Sequence, residues 1–556
     1  MASKQAPEPS ALHKFLDSKS WKFYAAAVAG ITLVAGTGAF LLSNQQHSSM
    51  KQRYQDELVP DLTDDMYEAM SENVIGLLSA QQRLTAATSL KTKGNQAFAE
   101  KRYQQAIQLY TQAIRFLADP IFYSNRAACY ANLNQPDRVI ADCTEALRLN
   151  PTYIKALQRR AIGYDFLGDA ENALFDFTSL SILEGFKNKV ALEHTHKLLK
   201  AISEEKASKV IKTRAPRLPS PVYINAYLDS FRPDIRCNDL PYTIDEDSGD
   251  AYYVKARSAL AQKKYYDALD YIKLAVDRGC SNQAVAHNLK GTLIFLEGQS
   301  DEALNAFNEA LRLDPNYIQV YIKKSNVYME KGDLTAALAQ MEIASNLSPL
   351  DPDIYYHLGQ IHYISGHYDL AMKDYAESIR LDPTFVYAHI QLAVVQHRLG
   401  NHSTAVAMFQ KISTQFPTQA EVFNYYGEVL IDQGNIQGAI NMFDKAMALD
   451  PSHPLPFINK AMILYQHLGR PDEAIQLCKS ALDADPACDA AVASLAQMLI
   501  EQDRPSEALV YYEKAIPLAR TQPELEHAIS YVEATKAQIR FAKEYPNAAA
   551  KLRTLK

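Results

Sequence analysis

The sequence predicts an all-α superhelix built from pairs of helices, and periodic residues of four kinds support this prediction. In the second half of the chain, prolines that close a helix recur every 34 residues. A small residue, a large apolar residue and a glycine stand at fixed distances before each proline. The prolines are Pro315, Pro349, Pro383, Pro417 and Pro451; the small residues are Ala303, Ala337, Ala371, Ala405 and Ala439; the large apolar residues are Phe307, Met341, Tyr375, Phe409 and Phe443; the glycines are Gly298, Gly332, Gly366, Gly400 and Gly434.

Each of these residue types has a physical reason at its place in the repeat. Alanine lets two paired helices approach closely, and glycine ends the first helix of the pair. A period of 34 residues is typical of tetratricopeptide repeats. The pattern extends in both directions, so residues 249–520 are predicted to form an array of about eight repeats.

A second array of three repeats is predicted over residues 86–200, which brings the total to about 11 repeats in two arrays. The junction between the arrays, residues 201–248, loses the period and carries five prolines. Its basic first part, residues 206–217, is read either as a solvated linker or as a site for an anionic partner. Residues 521–556 are predicted to be a capping helix and tail that cover the end of the superhelix.

The amino-terminal region predicts a membrane anchor. Residues 23–42 are free of charge and would reach roughly 30 Å as a helix, which is enough to span a bilayer. Trp21 and Tyr24 stand at one edge, as interfacial aromatics do. Residues 1–22 form a short flank, and residues 43–85 a linker and lead-in helix. A cleaved signal peptide is the alternative, but the apolar run ends in Leu41 and Leu42 rather than in a small-x-small site.

Composition excludes several classes of function. Apolar residues make up 47% and charged residues 22% of the chain, which is typical of a folded protein. A net charge of -7 gives no overall cationic field for a nucleic acid. The six cysteines form no C-x-x-C pair, so neither a disulfide framework nor a zinc site is expected. No Walker loop, H-E-x-x-H or G-x-S-x-G sequence occurs, and we expect no catalytic residues, metal or cofactor.

The predicted binding chemistry of the first array lies on the first helices of its repeats, which line a concave groove. Three cations and two amides are expected to converge there and to bind closely spaced carboxylates through charge-assisted hydrogen bonds. The residues are Lys91, Asn95, Asn125, Lys155 and Arg159. This set resembles the dicarboxylate clamp of co-chaperones, which binds the carboxy-terminal EEVD sequence of seventy- and ninety-kilodalton heat-shock chaperones.

The corresponding surface of the second array, called here the C-terminal groove, is predicted to carry mixed polar and apolar side chains. Counting positions within the repeat places six residues along it. They are Tyr356, Gln360, Ile390, Val394, Asn424 and Glu428. Such a surface suits extended or helical segments of varied sequence.

An anchor, a three-repeat clamp, a proline-bearing junction and a longer array together resemble the seventy-kilodalton receptors of the mitochondrial outer-membrane translocase. The segments that match most specifically are KTKGN from Lys91, YSNRAACY from Tyr123 and KALQRR from Lys155. The resemblance implies a single-pass protein of the mitochondrial outer membrane with its bulk in the cytosol. It also implies that chaperones dock at the clamp, that preproteins pass to the C-terminal groove, and that translocase subunits receive them.

Two other classes of function remain open from the sequence. One is a tetratricopeptide adaptor anchored in the endoplasmic reticulum or another membrane. If the insertion machinery of the endoplasmic reticulum acted, the charges beside the anchor would place the short amino-terminal flank in the cytosol and send the bulk of the protein outward. The other is a regulatory subunit of an enzyme, which would require a stoichiometric partner.

Overall fold

The computed structural model describes Tyr67, residues 70–237 and residues 245–553. These residues contain 27 α-helices, one 3₁₀ helix over Ile235–Cys237 and no strand. The predicted anchor at residues 23–42 lies outside the described part of the chain. Among the helices that are described, none is long and apolar enough to cross a membrane. The all-helical repeat fold predicted from the sequence is confirmed.

The described chain divides into two compact units, and the boundaries fall inside two long helices. The N-terminal unit comprises the residues up to Ala207 together with the end of the chain from Ile529. The C-terminal unit comprises Ser208–Ala528.

In the N-terminal unit three helix pairs follow a short first helix, and a long helix, α8, follows the pairs. The helices are α1 (Glu72–Leu77), α2 (Ala80–Ala99), α3 (Tyr103–Phe116), α4 (Pro120–Asn132), α5 (Pro136–Leu149), α6 (Ile154–Leu167), α7 (Ala170–Leu183) and α8 (Lys189–Thr213). Local sequence sets their ends. Ser79 and Gln82 form a capping box at the start of α2. Pro120 and Pro136 open α4 and α5, where the first turn needs no N–H donor.

The C-terminal unit begins with a short helix in the junction, α9 (Pro221–Asp229), and continues with eight helix pairs. The pairs are α10 (Gly249–Ala261) with α11 (Tyr265–Arg278), α12 (Gln283–Leu296) with α13 (Ser300–Leu313), α14 (Ile318–Glu330) with α15 (Leu334–Leu347), α16 (Pro352–Ile364) with α17 (Tyr368–Leu381), α18 (Val386–Arg398) with α19 (His402–Gln415), α20 (Ala420–Asp432) with α21 (Ile436–Leu449), α22 (Pro454–Gln466) with α23 (Pro471–Ala484), and α24 (Asp489–Glu501) with α25 (Pro505–Leu518).

The periodic residues perform the roles that the sequence predicts. The five repeat alanines are completely buried where the helices of a pair meet, and the five large apolar residues are fully buried as well. The five repeat glycines follow the first helices and adopt positive φ values between 74° and 85°. This left-handed conformation ends the helix at little cost only for glycine.

A glycine and an aromatic ring fit together inside four of the pairs. A methyl group on Gly427 would lie 2.6 Å from the ring of Phe443, closer than carbon atoms can pack. The same contact recurs 16 residues apart in Gly94 with Tyr110, Gly291 with Phe307, and Gly359 with Tyr375. The missing side chain is therefore what lets the ring of the second helix reach the backbone of the first.

The end of the chain, which the sequence predicts to cover the end of the superhelix, is divided between the two units. The last helices are α26 (Gln522–Glu544) and α27 (Pro546–Arg553). From Ile529 onward the chain belongs to the N-terminal unit. Phe541 and Tyr545 pack there against the core of the second and third pairs, which includes Phe175, and Arg540 lies 3.8 Å over the ring of Phe175. These aromatic contacts join residues far apart in sequence, and no local pattern indicates them.

We expect Gly427→Ala to destabilise the protein by about 1–3 kcal/mol because the added methyl overpacks the contact with Phe443. The effect opposes helix propensity, which favours alanine over glycine by about 1 kcal/mol. Urea unfolding followed by circular dichroism measures it. The control is Gly76→Ala in α1, where the new methyl would meet nothing within 4 Å. Equal midpoints for the two variants would contradict this account of the packing.

Candidate functional site

The five predicted clamp residues lie on the first helices of the three N-terminal pairs. Lys91 and Asn95 are on α2, Asn125 is on α4, and Lys155 and Arg159 are on α6. Lys91, Asn125 and Arg159 stand 34 residues apart (91, 125, 159), so they occupy the same position in successive repeats. Because α2 contacts α4 and α4 contacts α6, these helices form one layer. That layer holds all five residues.

Hydrogen bonds hold the amide side chains of this layer in place. Asn125 Nδ2 donates to Asn95 Oδ1 over 3.2 Å. The Tyr110 hydroxyl, on the second helix of the first pair, donates to the same oxygen over 2.7 Å. Burial raises the pKa of Tyr110 to about 12, so the hydroxyl keeps its proton at neutral pH. Asn95 and Asn125 therefore join two neighbouring first helices before any ligand binds.

Arg159 differs from the two arginines that resemble it most. Arg126 and Arg160 each form a two-pronged ion pair with an aspartate 16 residues further on, Asp142 and Asp176, at 2.7–2.8 Å. Both aspartates are buried, so these pairs belong to the frame of the repeats. Arg159 instead donates from Nη1 to the hydroxyl of Ser124 over 2.5 Å. Because a hydroxyl is neutral, this hydrogen bond leaves the charge of Arg159 uncompensated.

Three cations of the layer thus lack a carboxylate partner within the described residues. They are Lys91, Lys155 and Arg159. Lys155 is exposed, and Lys91 and Arg159 are half-buried with part of each side chain open to solvent. Positive charges held on one surface beside amide donors favour a ligand that carries closely spaced carboxylates.

The six residues predicted for the C-terminal groove lie deeper than their prediction implies. Four of them are buried, with exposed fractions of 3% for Tyr356, 0% for Ile390, 4% for Asn424 and 2% for Glu428. Gln360 and Val394 are half-buried. Gln360 Nε2 donates to the Tyr356 hydroxyl over 3.0 Å. The four buried side chains lie in the interior of the array.

Asn424 and Glu428 belong to a buried polar network. Asn424 Nδ2 and Asn459 Nδ2 each donate to Glu428 Oε1 over 2.8 Å, and Asn459 Nδ2 also contacts Asn424 Oδ1 at 3.0 Å. Burial raises the pKa of Glu428 to about 8. The carboxyl group is therefore protonated at neutral pH, and the network stays uncharged in the interior.

The side chains that sequence counting missed stand at positions 2 and 6 of the first helices. With the repeat proline at position 32, the prediction used positions 5 and 9. Lys323 and His357 occupy position 6, and Gln319 and Asp353 occupy position 2. All four contact the junction residues Phe231 or Arg232, which cross this surface. A step of one residue turns a helical side chain by roughly 100°, enough to move it from groove to interior.

A signal for this register was present in the sequence. Lys155 stands at position 2, and Lys91, Asn125 and Arg159 stand at position 6 of their own repeats. Carrying the clamp positions into the long array selects Lys323, His357, Gln319 and Asp353.

Comparison with known proteins agrees with the repeats. Models described as tetratricopeptide repeat or TPR repeat match residues 120–153, 253–318, 326–366, 359–400, 387–418, 427–487 and 465–530. The mitochondrial import receptor subunit TOM70 of Homo sapiens is 31% identical over 491 residues, which cover 83% of this chain and 81% of that protein. The chain belongs to the TOM70 family of mitochondrial import receptor subunits.

Further relatives support the assignment to this family. TOM70 of Saccharomyces cerevisiae is 28% identical over 526 residues, 85% of each chain. The crystal structure of yeast Tom70 superposes with a TM-score of 0.52 at 28% identity and covers 84% of this chain and 99% of that one. The protein is accordingly a TOM70-type receptor with a tetratricopeptide fold, and it is not an enzyme.

The raised pKa of Glu428 predicts a pH dependence of stability. Because the folded pKa lies above the usual value of 4.5, the free energy of unfolding should fall as pH rises from about 4.5 to about 8. Glu428→Gln keeps the acceptor and cannot ionise, so it should be more stable than the wild type at pH 9, on the order of 3 kcal/mol, and similar near pH 4. Urea unfolding at both pH values measures this, with Glu421→Gln on the same helix as the control. An equal change in the free energy of unfolding at both pH values would contradict the raised pKa of Glu428.

Proposed function

We propose that the protein is an import receptor anchored in the mitochondrial outer membrane that docks cytosolic seventy- and ninety-kilodalton heat-shock chaperones and receives the preproteins they carry. The chaperone tails, ending in EEVD, bind at the clamp of Lys91, Asn95, Asn125, Lys155 and Arg159. Preproteins bind along the C-terminal groove and pass to translocase subunits. The observation that carries this proposal is the set of three cations on one layer without carboxylate partners.

The chemistry of the tail fits the clamp. A carboxy-terminal aspartate presents its main-chain and side-chain carboxylates close together, and both need several hydrogen-bond donors. Arg159 offers a planar fork, while Lys91 and Lys155 each offer a point charge. Asn95 and Asn125 are already oriented by their mutual hydrogen bond and by Tyr110, so fewer side chains lose freedom when the tail binds.

The membrane attachment rests on residues 23–42, which are uncharged and long enough to span a bilayer. We assign the bulk of the chain to the cytosol, since its ligands are cytosolic chaperones. A tetratricopeptide adaptor of the endoplasmic reticulum is the second candidate. At that membrane the cations that flank the anchor would place the short amino-terminal flank in the cytosol and send the bulk of the chain outward.

Arg159→Ala should weaken binding of a chaperone tail peptide by about 2 kcal/mol, roughly thirtyfold, because a desolvated carboxylate loses its arginine partner. Fluorescence polarisation with a labelled EEVD peptide measures the affinity. Arg148→Ala is the control, since Arg148 is an exposed arginine paired with Glu145 in the same unit. An unchanged affinity for Arg159→Ala would refute the clamp.

A fluorescent protein fused behind residues 1–60 should localise to the mitochondrial outer membrane, because this stretch holds the predicted anchor and its flanks. Microscopy with markers for both membranes measures the distribution. Removing residues 23–42 from the fusion is the control and should leave it in the cytosol. Localisation to the endoplasmic reticulum would favour the second candidate.

A further inference from the structure

The junction segment of residues 221–237 lies on the C-terminal groove as a bound ligand would. It consists of α9 and the turn that follows, and three aromatic residues, Tyr223, Tyr227 and Phe231, stand four positions apart in it. Arg520 lies over the ring of Tyr223 at 5.1 Å. Tyr227 packs 5.7 Å from Phe295 on α12 and 5.4 Å from Phe231. Spacing by four residues places Tyr223 and Tyr227 on one face of α9, and Phe231 lies in the turn that follows the helix.

Phe231 is the most deeply seated of the three aromatic residues. Its side chain is buried in a cluster with Ile322, Met341 and Ile354 from the third and fourth pairs of the C-terminal unit. The ring lies 4.5 Å from the imidazole of His357, and the Lys323 ammonium is 5.1 Å from its centre. One aromatic side chain of the junction therefore fills the seam between two repeats.

Arg232 binds the groove with its side chain and both main-chain groups. Nε donates to Asp353 Oδ1 over 2.8 Å, and the backbone N–H contacts Asp353 Oδ2 at 3.3 Å. The other end of the guanidinium pairs with Asp351. Gln319 Nε2 donates to the carbonyl oxygen of Arg232 over 2.9 Å. A main-chain contact on each side of an arginine fork is the geometry of a peptide held by a receptor.

The charged groove residues Lys323 and Asp353 are buried under this segment and contact it instead of water. Lys323 is buried, and its ammonium reaches Asn288 Oδ1 at 3.2 Å. Burial lowers the pKa of Lys323 to about 8. Asp353 is buried beside Arg232. Removal of the segment would expose a lysine, two carboxylates and an apolar seam, all placed to bind a second peptide of the same kind.

We propose that this surface is a binding site for a partner segment, a short helix and the turn after it, that carries aromatic side chains at intervals of four residues followed by an arginine, and that residues 221–237 compete for it from within the chain. The inference rests on the proposed function, since it names the chemistry of the segment that the C-terminal groove receives. Because residues 221–237 are part of the same chain, their effective concentration at the groove is high. The apparent affinity for an incoming segment is therefore reduced in proportion to the fraction of molecules whose groove is vacant.

The experiment uses the full chain and a labelled peptide of residues 219–237. The peptide should bind the double variant Phe231→Ala, Arg232→Ala roughly tenfold or more tightly than it binds the wild type, since the variant vacates the groove. The peptide with the arginine that corresponds to Arg232 replaced by glutamate, and with Arg236 kept, should bind neither. The matched control is the double variant Leu468→Ala, Arg470→Ala, which also removes one apolar side chain and one arginine two residues apart. Both side chains are exposed, by 44% and 53%. This control should bind the peptide like the wild type.

A second measurement covers the case in which the double variant folds poorly. In the single variant Arg232→Ala, Lys323 should react with an acylating reagent faster than in the wild type, as followed by mass spectrometry, because loss of the ion pairs with Asp351 and Asp353 loosens the segment. Equal peptide affinity for wild type and double variant, together with unchanged labelling of Lys323, would overturn the inference.

The same samples separate the two proposals. An EEVD peptide should bind wild type and variants alike, because the clamp residues are unchanged. Loss of junction-peptide binding with intact tail binding counts against this inference alone. Failure of the tail peptide to bind any of the samples counts against the proposed function.

Discussion

The close approach of the two helices in each pair is the constraint on which the rest of the structure depends. Where a glycine of the first helix meets an aromatic ring of the second, as at Gly427 and Phe443, the backbone has no room for a methyl group. The repeat alanines are buried completely in the same interface. In the four pairs that have it, this contact fixes the rotation of the first helix relative to the second.

The two arrays use that surface for different chemistry. In the N-terminal unit, positions 2 and 6 hold Lys91, Lys155 and Arg159, which have no carboxylate partner within the described residues. In the C-terminal unit, Asp353 at position 2 pairs with Arg232 of the junction. One surface therefore carries cations without carboxylate partners among the described residues, and the other holds a cation and aromatic rings supplied by the chain. A shared frame with exchangeable side chains explains how both binding surfaces arise from one repeat.

Most of the fold could be predicted from the sequence, because each repeat is specified locally. Gly298 ends the first helix of a pair, Ala303 lets the second helix pack closely against the first, and Pro315 precedes the next pair. All three lie within 18 residues. The shared layer of Lys91, Asn125 and Arg159 could be predicted because these residues recur every 34 positions. The groove residues were assigned to positions 5 and 9 rather than 2 and 6 because a count along the chain does not show how each helix is rotated. Packing of Tyr545 beside Phe175 depends on residues hundreds of positions apart, which periodicity does not report.

The central claim is that the layer of Lys91, Asn125 and Arg159 binds a free carboxy terminus. Calorimetric titration of a protein comprising residues 60–556 tests it most directly, with a chaperone tail peptide and with the same peptide amidated at its end. The account predicts binding of the free peptide and loss of binding on amidation, because one of the two terminal carboxylates is removed. Equal heats of binding for the two peptides, or binding of neither, would contradict it.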